Sequence, residues 1–86
     1  MGRTIPSTTA RVDERLAEWQ FFARVLPRSG QEAFQDLAVA ARNARAAISE
    51  APDPDIAIPI LLAMLVQVQR DLRQAEARIQ SSLGKG

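Results

Sequence analysis

Seven residues in the last third of the chain recur at steps of three, four, three, four, three and four: Ile58, Leu61, Leu65, Val68, Leu72, Ala75 and Ile79. That spacing keeps one face of an α-helix apolar, and it is the spacing along which helices wind together. The stretch opens with residues 56–66, eleven in a row without a charge. This half is apolar nearly all round, which predicts that other helices enclose it. From Gln67 onward only the seam is apolar, so the second half needs one or two partner helices. A helix of about 25 residues spans roughly 38 Å, whereas the two helices expected before it span roughly 27–30 Å each. Neither can cover all of it. Residues 67–83 are therefore expected to project or to meet a second copy. The expected interface of that homodimer is Leu61, Leu65, Val68, Leu72, Ala75 and Ile79, with parallel and antiparallel pairing both open.

The length points the same way. Eighty-six residues make one domain, and a chain this short buries only about 60% of its unfolded surface. Small folds are commonly reinforced by disulfides, metal or association. The sequence contains no Cys and no His, which removes disulfides, zinc fingers and the common nucleophile–base pairs. No cofactor or metal is expected, and association is the route left. Eleven basic residues stand against ten acidic ones, a net charge of +1. That total lacks the excess of positive charge that a sequence-independent grip on nucleic acid shows. The first ten residues contain no apolar run of the secretory kind. The 56–66 run is far short of the ~20 residues of a membrane span. A soluble, cytoplasmic protein with no membrane contact is the expectation.

In chain order, residues 1–8 read as an N-terminal arm, 9–83 as a single helical domain and 84–86 as a frayed tail. Ile5-Pro6 looks like an anchor for the arm, and Ser7, Thr8 and Thr9 are three candidate caps. The first helix is expected over about 9–26, with the stripe Val12, Leu16, Trp19, Ala23 and Leu26, widened by Phe22, and a stop at Pro27. Phe21 falls on roughly the opposite face, near Val25. Both are either packed under a neighbouring helix or left as a surface for another protein. The second helix is expected over about 30–49. Ser29 and Glu32 have the spacing of a capping box. Its stripe is Phe34, Leu37, Ala41, Ala44 and Ile48, within a run holding seven alanines between Ala33 and Ala47. Alanine favours helix and lets a second helix approach closely. The connector 50–55 offers Asp53 or Asp55 as cap for the third helix, expected over about 57–82. Pro59 forces either a late start or a kink, and Gly84 is the expected stop.

Little in the sequence carries chemistry. Asp13, Glu14 and Glu18 crowd the first helix, and Glu32 and Asp36 lie one turn apart on the second. Carboxylates at this spacing bind metal in helical bundles when His joins them, and no His exists here. Their place in the first turns suits the helix dipole, which accounts for them without a catalytic role. Ser29 and Ser49 have no base to activate them. Arg24, Arg28, Arg42 and Arg45 can hold phosphates, but acidic neighbours such as Asp36 make an ordinary solvated face the simpler reading. The protein is not expected to be an enzyme.

The opening Met1-Gly2-Arg3-Thr4-Ile5-Pro6-Ser7-Thr8-Thr9 resembles the start of a group of short uncharacterised prokaryotic proteins, many of them archaeal, that read M-G-R-T-[ILM]-P-S-x-T. Gln31-Glu32-Ala33-Phe34 and Leu61-Leu62-Ala63-Met64-Leu65 are similar to that group's later segments. The resemblance covers most of the chain and implies the helical architecture. It brings no activity. The expectation is an all-α protein of three helices completed by homodimerisation, acting as a non-catalytic interaction or regulatory module on an unidentified, larger protein partner. The alternative is a small dimeric nucleic-acid-binding protein that uses the four arginines.

Overall fold

The computed structural model describes residues 7–51 and 54–84. Four helices follow one another: α1 (Thr8–Arg24), α2 (Arg28–Asn43), α3 (Arg45–Glu50) and α4 (Ala57–Gly84). The described residues contain no strand. The expected arm, except Ser7 and Thr8, lies outside the described residues, as do Asp53 and the last two residues of the tail.

Ser7 starts α1. Its backbone is extended and its Oγ accepts the Ala10 N–H at 3.1 Å, which satisfies one of the four N–H groups a helix start leaves without partners. Val12, Leu16 and Ala23 are buried, and Trp19 packs against the core from one side. The expected stripe holds, except that Phe22 faces solvent with Phe21. The helix stops two residues before the expected end. Val25 and Leu26 already donate to the carbonyls of Phe22 and Ala23 at 3.3 and 3.1 Å, a tightening of the last turn ahead of Pro27.

The α1–α2 turn corrects the capping box expected at Ser29. Pro27 has φ of −56°, close to the helical value, and α2 begins directly after it. Ser29 is therefore already inside the first turn and does not cap. Glu32 instead meets Arg28 at 3.4 Å. The bond that fastens the turn comes from Gln31, whose side-chain amide donates to the carbonyls of Arg24 and Leu26 at 3.3 and 3.0 Å. Gly30 allows the close approach: a Cβ there would stand 3.1 Å from Leu26 Cβ.

The second expected helix is two. Ala44, at φ −95° and ψ 12°, separates α2 from α3. The Arg45 guanidinium donates to the Arg42 carbonyl at 3.1 Å at this break. The bend lets the short α3 place Ile48 in the core with Val12, Leu16, Ile56 and Ile60. Between Gly30 and Ala51 the sequence has neither Pro nor Gly to interrupt the single helix expected over 30–49. Burial of Ile48 coincides with the bend, while alanine itself gives no signal of it.

Before α4, Asp55 Oδ1 accepts the Ala57 N–H at 3.0 Å and reaches Arg15 Nη2 of α1 at 3.6 Å. Pro59 then sits in the first turn, where a missing N–H costs no helical bond. No late start or kink is needed. The helix runs through Gly84 rather than stopping ahead of it.

The larger correction concerns how α4 is covered. Its core face is Ile60, Ala63 and Met64, which share one cluster with Val12, Leu16, Ala38 and Ala41, and Ala57 is buried in the turn before them. The seam is not that face. Ile58, Leu61, Leu62, Leu65 and Val66 are exposed, so this chain alone does not enclose the apolar half. From Val68 to Gly84 every residue is exposed. The body made by α1, α2 and α3 is too short to reach them, and the chain measures 68 × 31 × 16 Å.

Candidate interaction surface

About five turns of α4, from Leu61 to Ile79, carry a continuous apolar strip on their outer side. Leu61, Leu65, Val68, Leu72 and Ile79 are 46–64% exposed, and Ala75 is exposed between the last two. Their spacing puts them on one face of an unbroken helix about 42 Å long. No charged side chain interrupts the strip. Asp71 and Glu76 flank it, and Asp71 Oδ1 accepts from Gln67 Nε2 at 2.9 Å. The six residues expected at the interface thus share one uncovered face of a single element.

A second feature was not read from the sequence. Beside the strip, an open groove of about 400 Å³ runs between α4 and the α2–α3 bend. Ala40, Ala44 and Ala47 form one wall, and Leu62 and Val66 the other. The alanine run carried the signal: small side chains leave room where a larger residue would close the gap. The position of the bend, which aims those alanines at α4, was not legible.

Phe21 and Val25 lie one turn apart at the end of α1, 71% and 81% exposed. Exposed Phe22 widens this second patch, and the Arg24 guanidinium stands 5.1 Å above the Phe21 ring. Among the described residues, no helix covers Phe21 or Val25. A cation over an aromatic face contributes about 0.5–1 kcal/mol at such an exposed site.

The four arginines of the nucleic-acid reading are not brought together. Arg28 opens α2 and Arg42 lies in its last turn, about 21 Å away along the axis. Arg28 meets Glu32, Arg42 Nε meets Asp13 Oδ1 at 3.0 Å, and Arg45 bonds the Arg42 carbonyl. Each pairing uses one nitrogen of a guanidinium that has five N–H donors. Of the candidate carboxylates, Asp13 meets Arg42 and Glu18 meets Arg15 at 3.5 Å. Among the described residues no cluster of three carboxylates can hold a metal ion. The Ser49 hydroxyl donates to the Ala46 carbonyl at 2.7 Å. Among the described residues, no helix is long and apolar enough to cross a membrane.

The family model of a domain of unknown function, DUF8156, matches residues 1–85. The chain belongs to this family. The match spans all four helices and agrees with the resemblance to an uncharacterised small protein. The DUF8156 description names no activity, so the family adds no chemistry to the surface described above. No curated protein and no solved structure matches the chain.

Proposed function

We propose that this DUF8156 protein is a non-catalytic, cytoplasmic interaction or regulatory module that acts as a homodimer and presents helix surfaces to a larger protein. The observation that carries the reading is the exposed apolar face of α4 from Leu61 to Ile79. Large contiguous apolar patches on soluble proteins mark interaction sites, and regular heptad spacing is the form that helix pairing takes. A second copy covers the strip, and the patch at Phe21 and Val25 is left for the larger partner. We further take the lead-in Met1-Gly2-Arg3-Thr4 as a signature shared with prokaryotic, largely archaeal, relatives. The test is sedimentation of the wild type beside a Leu72→Asp, Ile79→Asp double variant. The wild type is expected to sediment as a dimer and the variant as a monomer. A wild type that stays monomeric at micromolar concentration refutes the reading.

The nucleic-acid alternative has less support, because Arg28 and Arg42 are already paired with carboxylates. It requires dimerisation to bring the arginines of both copies to one side. A mobility shift on duplex DNA that weakens steeply with added salt would favour it.

A further inference from the structure

We infer that the two copies pair along α4 head to tail, with the crossing point at Arg70, so that Leu61 of one chain faces the partner's Ile79. The inference rests on the dimer reading above and deepens it, since the strip alone fits either direction.

Size and charge along the strip decide the direction. A parallel pair in register sets each seam residue against its own copy. Ala75 would then face the partner's Ala75, leaving a thin layer between the bulky Leu72 and Ile79 layers. Layers that fill badly lose contact on both sides. Head to tail about Arg70, Leu65 faces the partner's Ala75 and Val68 faces the partner's Leu72. Each Ala75 then meets a leucine instead of another alanine, and all six seam residues from Leu61 to Ile79 are covered.

Charge favours the same direction. In a parallel pair the residue just before one seam position faces the residue five further along the other chain. Asp71 would face the partner's Glu76, and the symmetry repeats this repulsion on the other flank. Head to tail about Arg70, Glu76 lies beside the partner's Leu62. One like-charge contact remains, Asp71 against the partner's Asp71, at the rim and in solvent. Sliding the antiparallel pair by one heptad would set Asp71 near the partner's Arg78, but it would carry Ile58 and Leu61 out of the overlap. Solvated ion pairs contribute little, whereas covering leucine and isoleucine contributes more. The full overlap therefore wins.

The sequence lacks cysteine, so single cysteines report the arrangement without background. Leu61→Cys and Ile79→Cys chains are mixed, unfolded and refolded together in a glutathione redox buffer, and the disulfides are identified by mass. The mixed Leu61→Cys with Ile79→Cys product is expected to exceed its random share, with little of either symmetric product. Leu65→Cys mixed with Ala75→Cys repeats the measurement should the first pair fold poorly, as judged by helicity. Symmetric disulfides in excess would show parallel chains and overturn the inference. A dimer by sedimentation that forms no disulfide in either mixture would overturn the register. A wild-type monomer would instead remove the dimer reading itself, so the two failures are told apart.

Discussion

Leu16 and Ile60 have no solvent exposure and share one core with Val12, Ala38 and Ala41. Truncating such a residue removes its transfer free energy and leaves a cavity, at a cost of about 2–5 kcal/mol. A domain of this size has on the order of 5–15 kcal/mol in hand, so Ile60→Ala is expected to lower the urea midpoint sharply by circular dichroism. A change within error would mean that the core is misplaced. Ala41 poses the opposite constraint. It is fully buried where α2 meets its neighbours, and Ala41→Leu is expected to cost about 1–3 kcal/mol through overpacking. The Arg42–Asp13 pair lies half in solvent on both sides, where screening leaves under about 1 kcal/mol. A double-mutant cycle on Arg42→Ala and Asp13→Ala that returned several kcal/mol would show that the pair is more enclosed than its exposure indicates. At this scale the sequence was legible where a side chain is large: Val12, Leu16 and Ile48 stand on the stripes their spacing marks. It misled at Ser29, because Pro27 starts the helix before the hydroxyl can cap it.

Among the elements, α4 differs from the rest in having two unlike halves. The first packs Ile60 and Met64 into the body, and the second has no buried residue after Met64. An isolated polar helix of some 17 residues is marginal in water, so on the proposed pairing the projecting half is stabilised by the second copy over its seam. Helicity at 222 nm is therefore expected to fall on dilution as the dimer separates, while the near-ultraviolet signal of Trp19, which packs on the core, is kept. Constant helicity across the monomer–dimer range would mean that the projecting half stands alone. The heptad steps made this element legible from end to end, since seven seam positions repeat without a break. They did not show which face meets the body, because residues 56–66 are apolar on almost every side and periodicity is silent there. The α2–α3 break was illegible for a related reason: Ala44 and its neighbours are strong helix formers, and only tertiary burial of Ile48 distinguishes a bent path from a straight one.

For the whole molecule, the balance of charge and the missing cover on α4 point in one direction. A net charge of +1, with Arg28 and Arg42 already engaged, predicts no mobility shift of duplex DNA at moderate salt; a clear shift lost steeply as salt rises would restore the nucleic-acid reading. The apolar strip carries more weight. Removing a Leu or Ile side chain from water is worth about 1.5–3 kcal/mol, and Leu61, Leu65, Leu72 and Ile79 of each copy gain part of that on pairing. On the proposed pairing that gain is set against the cost of bringing two chains together, and a chain without cysteine has no disulfide to reinforce it. Sedimentation equilibrium at micromolar concentration measures the outcome directly. The account predicts a mass about twice the 9.4 kDa of one chain, falling to the single-chain mass in the Leu72→Asp, Ile79→Asp variant. A folded wild-type particle of single-chain mass, with α4 fully helical, would contradict it.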